Sequence, residues 1–113
     1  MFFVSIRMKV NPAKRMEITQ ALTSLMSSMR TEQGCCGCNC YQSVEDENEL
    51  LMLGEWDCRE SLDRHVRSKE FKVLLGAMHL LREPHQMRLY EVTSCLEKGG
   101  DASNESCFEM ASG

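Results

Sequence analysis

His65 is the residue of this sequence best suited to acid–base chemistry. It lies in the segment GEWDCRESLDRHVRSKEF, residues 54–71, where a strand pattern ends at Glu55 and Trp56 and a helix pattern follows. Because histidine ordinarily titrates near neutrality, this side chain could take a proton from a substrate or hydrogen-bond a substrate oxygen. A histidine close to the apolar stripe of a helix can equally pack and hydrogen-bond within the fold, and the sequence leaves both interpretations open.

Three further side chains have groups that could serve a site. Glu55 shares a strand face with two leucines, and a carboxylate in that position is either a paired structural group or a perturbed acid–base group. Trp56, on the opposite strand face, is the only tryptophan, and its default role is in the core or an interface. Tyr41 carries a hydroxyl that could contact a ligand.

The cysteines concentrate in one short segment, Cys35-Cys36-Gly37-Cys38-Asn39-Cys40. In a regular strand Cys36, Cys38 and Cys40 share one face and Cys35 lies on the other. Neighbours on one face are roughly 6.5 to 7 Å apart, which is poor geometry for a tetrahedral zinc site. We therefore expect reduced, buried thiols and no bound metal, with metal binding or redox switching as the alternatives.

Several classes of function are disfavoured by what the sequence lacks. It contains no G-x-G-x-x-G, no phosphate-binding loop, no G-x-S-x-G elbow and no H-E-x-x-H, so an enzyme of this sequence is expected to need neither a nucleotide cofactor nor a catalytic metal. A net charge of -4 gives no electrostatic footprint for nucleic acid. The apolar runs are too short to cross a membrane and we identify no signal peptide, so we expect a cytoplasmic protein.

Hydrophobic periodicity predicts the order β-α-β-β-α-β. The predicted strands are residues 2–10, 35–44, 50–57 and 85–96, and the first helix spans about residues 12–32. Asp57 is the predicted cap of a second helix, which breaks near Ser68 and continues from there. This order is the ferredoxin-like α+β plan, with one domain over residues 1–97 and a polar tail over 98–113. Two helices cover one sheet face, and the apolar content of the other predicts a homodimer.

The chain resembles the antibiotic biosynthesis monooxygenase family, in particular its small members of the quinol monooxygenase type. The resemblance covers about residues 2–97 and rests on FFVSIRMKVNP, on EQGC at 32–35, on ELLMLGEWDCRESLDRHVRSKEF at 49–71 and on LLGAMHLLREP at 74–84. The spacing of Glu55-Trp56, His65, Ser68 and Phe71 is its most specific part.

This resemblance implies a dimeric α+β barrel with a pocket between the sheet and the helices of each protomer. It implies a monooxygenase that oxidises a small hydroquinone or polycyclic phenol with dioxygen and without a cofactor. His65 would then be the base or hydrogen-bond partner of a phenolic oxygen, and Phe71 would help to hold the rings, with Glu55, Trp56 and Tyr41 as further substrate contacts. The alternatives are a non-catalytic barrel that binds an aromatic ligand, an isomerase of a small carbonyl compound, or a thiol redox sensor built on residues 35–40.

Overall fold

The predicted order of elements is confirmed in the computed structural model of the chain, which describes residues 1–94. The strands are β1 (Phe2–Lys9), β2 (Cys35–Gln42), β3 (Glu49–Trp56) and β4 (Gln86–Glu91), and the helices are α1 (Arg15–Met29), α2 (Arg59–Val66) and α3 (Lys69–Ala77). Short 3-10 turns at Pro12–Lys14 and Met78–Leu80 precede α1 and follow α3. The fold is therefore α+β and ferredoxin-like.

The four strands form one antiparallel sheet in the order β2-β3-β1-β4. This order puts β3 inside the sheet, as its apolar residues on both faces predict. The face towards the helices, which we call the inner face, carries Val4 and Ile6 from β1 and Met52 and Trp56 from β3, all buried. We call the opposite side the outer face. It carries Leu51, Leu53 and Glu55 of β3, which are half-buried, and the helices within residues 1–94 pack on the other side of the sheet.

Local signals in the sequence explain where α1 begins and ends. The Asn11 side chain accepts a hydrogen bond from the amide of Ala13 at 3.0 Å and so caps the 3-10 turn that leads into the helix. Ile18, Leu22, Met26 and Met29 form the buried stripe of α1. Gly34, with φ of 88°, reverses the chain after the helix, in a conformation that suits glycine.

The second helical region is divided as predicted, but its start differs from the prediction. Ser68 caps α3, because its hydroxyl accepts a hydrogen bond from the amide of Phe71 at 3.1 Å. Asp57 does not cap α2. The N-cap is Cys58, which makes no capping bond through its side chain, while the Ser61 hydroxyl beside Asp57 lowers the pKa of the Asp57 carboxyl.

The fourth strand is shorter than predicted. It ends at Glu91 and not at residue 96, and all six of its residues are exposed. The predicted strand residues 95 and 96 and the predicted tail, 98–113, lie outside the described residues. No helix in the described part of the chain combines the length and apolar character needed to cross a membrane.

Candidate functional site

The imidazole of His65 lies inside the protein, between the sheet and the helices. Its side chain projects from α2 and is 5% exposed. Nδ1 lies 3.2 Å from Oε1 and 3.1 Å from Oε2 of Glu32, and no other side chain within residues 1–94 hydrogen-bonds the ring. An ionised carboxylate accepts and does not donate, so the tautomer of the neutral imidazole that fits this contact has its proton on Nδ1 and a free lone pair on Nε2.

Two aromatic rings hold the imidazole in place. The ring of Trp56 stacks on it with a centroid distance of 4.3 Å and an interplanar angle of 25°. The ring of Phe71 meets it edge-on at 5.1 Å and 74°. The sheet contributes one ring, α3 contributes the other, and the turn after α1 contributes the Glu32 carboxylate, so three separate elements fix the position of His65.

Glu32 reaches His65 because the turn between α1 and β2 packs against the start of α2. The amide of Asp57 donates to the carbonyl of Gly34 at 2.9 Å, and Arg64 Nη1 donates to Gln33 Oε1 at 3.4 Å. The Ser61 side chain lies against Gly34, with no room for a Cβ there. This packing places a carboxylate 33 residues distant in sequence beside the imidazole.

His65, Trp56 and Phe71 line one cavity. The remaining wall is apolar and consists of Val4, Ile6, Cys38, Met52, Gly54 and Leu74. Its free volume is about 10 Å³, roughly the room that one water molecule needs. The arrangement joins a histidine of fixed tautomer, an apolar wall and two aromatic rings, which suits proton transfer from an aromatic hydroxyl.

Two other predicted substrate contacts lie elsewhere. Glu55 is on the outer face, where its Oε2 approaches Gly37 of β2, and it has no ion pair within the described residues. Tyr41 lies near the end of β2, is 52% exposed and borders a different pocket. The site at His65 therefore contains His65, Trp56 and Phe71 of the predicted residues, and it gains Glu32, which the sequence analysis did not identify.

The predicted arrangement of the cysteines is wrong at two positions. A β-bulge between Cys35 and Gly37 makes Cys35 the partner of Trp56, so Cys35 faces inward with Cys38 and Cys40, and Cys36 is exposed. Gly37 inside the strand was the sequence signal for this bulge. Burial raises the pKa of Cys35 and Cys40, and raises that of Cys38 to about 11.

The thiols and acids of residues 1–94 nowhere gather into a group of three or more that could hold a metal ion. The five described cysteines are free thiols. Raised pKa values reduce the thiolate fraction, so the three inward cysteines are weak nucleophiles at neutral pH.

Comparison with known proteins agrees with this fold. The profile of the family described as antibiotic biosynthesis monooxygenase matches residues 1–75. A curated relative from Bacillus subtilis (strain 168), named "Putative monooxygenase YcnE", is 28% identical over 72 residues, which are 64% of this chain and 76% of the relative.

Solved structures show the same architecture. A conserved protein from Methanosarcina mazei Go1 is 31% identical and has a TM-score of 0.74, with 79% of this chain and 89% of that chain covered. A Deinococcus radiodurans protein has a TM-score of 0.79 at 16% identity, over 88% of this chain and 100% of that one, a likeness of fold alone. The family profile spans well over half of the sequence, and the chain therefore belongs to the antibiotic biosynthesis monooxygenase family.

Proposed function

We propose that this protein is a monooxygenase that oxidises a small hydroquinone or polycyclic phenol with dioxygen, and that His65 is its base. The observation that carries the proposal is the pair in which Oε2 of the half-buried Glu32 lies 3.1 Å from Nδ1 of the buried His65. Family membership and the name of the Bacillus relative support a monooxygenase activity in general. The substrate class is the one that the family resemblance implies, and the role of His65 is inferred from its position in the cavity.

The His65–Glu32 pair supplies a directed proton acceptor. Because Glu32 accepts the Nδ1 proton, Nε2 is the nitrogen available to a substrate hydroxyl. When Nε2 takes the phenolic proton, the imidazole becomes a cation beside the Glu32 carboxylate, which stabilises that charge inside an apolar cavity.

The reaction then needs little more from the protein than binding, deprotonation and exclusion of water. An electron-rich phenolate donates one electron to dioxygen, and the two radicals combine to form a carbon–oxygen bond. Loss of water from the resulting peroxide leaves a quinone. One atom of dioxygen enters the organic product and the other leaves as water, so atoms and electrons balance.

The cavity must widen to admit a substrate ring, because its free volume is only about 10 Å³. Phe71 and Leu74 form the part of the wall contributed by α3, whereas His65 belongs to α2. The two helices are separated by Arg67 and Ser68. An outward movement of α3 about these two residues would enlarge the cavity and leave the His65–Glu32 pair in place.

A barrel that only binds an aromatic ligand needs no titratable group at its pocket. His65 lines this cavity together with aromatic and aliphatic side chains. That position favours catalysis over binding alone, and an isomerase of a carbonyl compound would use the same base without consuming oxygen.

The test is oxygen uptake with a panel of benzo-, naphtho- and anthrahydroquinones, measured above the rate of spontaneous oxidation. We expect uptake with at least one compound and one atom of ¹⁸O from labelled dioxygen in the product. His65→Gln should lower turnover by about 10²- to 10⁴-fold, the usual contribution of a general base. The matched control is His79→Ala, because His79 is exposed and does not line the cavity.

Equal turnover by the two histidine variants would remove His65 from the mechanism. Saturable binding of the whole panel without oxygen uptake would instead favour a binding protein. If His65→Gln does not fold, Glu32→Gln provides the second test, because it keeps an oxygen acceptor for Nδ1 but removes the carboxylate charge. It should lower turnover and leave the fold intact.

A further inference from the structure

We propose that a second pocket of this fold, between α1 and β2, binds a small monocarboxylate with an apolar body of about one aromatic ring, and that Arg15 binds its carboxylate. The pocket has a volume of about 220 Å³. It shares no lining residue with the cavity at His65. The proposal does not depend on the reaction proposed for His65.

The two sites are neighbours on the inner face. Cys40, which lines the second pocket, is the cross-strand partner of Met52, which lines the His65 cavity. The polar groups of the two sites lie farther apart, because Arg15 lines the pocket at the Leu50 end of β3 and His65 stacks on Trp56 at the other end.

The floor of the second pocket is apolar. Leu22, Met26 and Leu50 line it and are 2%, 7% and 7% exposed. Ligand sites commonly combine such a surface with a few polar groups that fix orientation, and drug-sized ligands occupy roughly 300–1,000 Å³. A pocket of about 220 Å³ suits a smaller compound.

Arg15 provides the polar group. Its Nη2 donates to Oε1 of Gln42 at 2.9 Å, which holds the guanidinium across the space between α1 and β2. Its Nε is buried and makes no hydrogen bond. Among the buried side-chain nitrogen and oxygen atoms of residues 1–94, only Asn48 Oδ1 also lacks a partner. Arg15 lines this pocket, and a carboxylate is the acceptor that its planar guanidinium fits best.

The charges around the pocket favour an anion. No aspartate or glutamate lines it, and Arg15 makes no ion pair within the described residues. The acids nearest in sequence to its lining are already paired, Glu17 with Lys14 at 3.6 Å and Glu49 with Lys9 at 3.2 Å. Arg15 is thus a positive charge without an acidic partner beside the apolar floor of the pocket, and a monocarboxylate with an apolar body complements both features.

The test is a titration of the full chain, labelled with ¹⁵N, with benzoate, benzamide and acetate, followed by amide chemical shifts. We expect saturable shifts with benzoate at Thr19, Thr23 and Cys40, and affinities at least about tenfold lower for neutral benzamide and for acetate, which lacks a ring. Arg15→Gln should weaken benzoate binding at least about tenfold and leave benzamide unchanged. The matched control is Lys14→Gln, which removes the neighbouring positive charge but no part of the pocket lining.

Thr19→Phe gives a second test from an exposed position at the rim, since the added ring should occlude benzoate and benzamide alike. Equal benzoate affinity in Arg15→Gln and Lys14→Gln would overturn the proposal. So would the absence of saturable binding, or benzoate-dependent shifts centred on Trp56 and Phe71.

Discussion

At the scale of single residues, the five described cysteines differ in exposure, and Cys35 and Cys40 are intermediate. Cys36 and Cys58 are exposed, whereas Cys38 is 2% exposed and burial raises its pKa from 9.0 to about 11. A rise of two units lowers the thiolate fraction at pH 8 roughly 100-fold, and the thiolate is the species that alkylating reagents attack.

We predict that iodoacetamide at pH 8 modifies Cys36 and Cys58 first and Cys38 last, as measured by peptide mass spectrometry over time. Cys95 and Cys107 lie outside the described residues and are followed separately. Early modification of Cys38 in the folded protein would show that the inner face of β2 is open to solvent.

The same thiol makes stability depend on alkaline pH. The folded state holds the Cys38 proton more tightly than the unfolded chain, so its contribution is fully present below pH 9 and is lost as pH rises towards about 11. At 1.36 kcal/mol per unit of pKa difference, the loss by pH 10.5 is on the order of 2 kcal/mol.

Urea denaturation at pH 8 and pH 10.5 measures this loss. Cys38→Ala should be less stable at pH 8, because it removes a buried side chain, but it should lose less stability between the two pH values. Cys36→Ala, at an exposed position, should follow the parent protein. A pH dependence of Cys38→Ala equal to that of the parent would assign the alkaline loss to other groups.

Part of the site can be predicted from the sequence, because strand alternation and helical spacing depend only on residues close together in the chain. They place Trp56 on the inner face and His65 near the apolar stripe, and the structure brings both to Phe71. Glu32 could not be found in this way, since its contact with His65 depends on how a turn packs against a helix 33 residues further on. The EQGC segment that contributed to the family resemblance contains this glutamate.

At the scale of elements, the turn at Gly34 packs against the start of α2 and carries Glu32 to His65. Its φ of 88° is a left-handed conformation, and a Cβ there would strike Ser61 and lie 2.6 Å from Asp57 Oδ1. The left-handed conformation alone costs an alanine about 1–2 kcal/mol. The collision must in addition displace the start of α2, and with it the contact between Glu32 and His65.

We therefore predict that Gly34→Ala lowers the free energy of unfolding by more than about 1–2 kcal/mol and lowers turnover of any substrate found. Urea denaturation and oxygen uptake measure the two effects. The matched control is Gly76→Ala in α3, where nothing lies within 4 Å of an added Cβ. That variant should be neutral or more stable, by up to about 1 kcal/mol.

The elements themselves were more predictable than their ends. Apolar periodicity fixed the order of strands and helices, and Ser68 marked the break between α2 and α3 because a serine cap is a local signal. Regular alternation of side chains across residues 35–40 does not predict the bulge between Cys35 and Gly37, which reverses the faces of Cys35 and Cys36. The sequence predicts that β4 continues to residue 96, whereas it ends at Glu91. All six of its residues are exposed, so alternation of residue types does not mark where the strand leaves the core.

At the scale of the whole molecule, no helix of residues 1–94 covers the outer face of the sheet. Phe3, Leu51 and Leu53 lie on it, half-buried, and the exposed rings of Tyr41 and Tyr90 flank them. Apolar surface of this kind on a sheet commonly marks an interface between proteins. A two-fold axis would let two copies cover each other with the same surface, as in the dimeric barrel that the family resemblance implies.

We predict a homodimer in solution, with a mass of about twice 12.9 kDa by light scattering at micromolar concentration. Leu53→Lys should convert it to a folded monomer, because a charge at the centre of the outer face costs far more when buried between two sheets than when exposed on one. The matched control is Val44→Lys, since Val44 is fully exposed in the loop after β2 and should not affect assembly. A parent protein that scatters as a monomer would contradict the prediction, and so would a Leu53→Lys variant that remains a dimer. The second result would place the interface on another surface, and the outer face would then be open to solvent in the assembled protein.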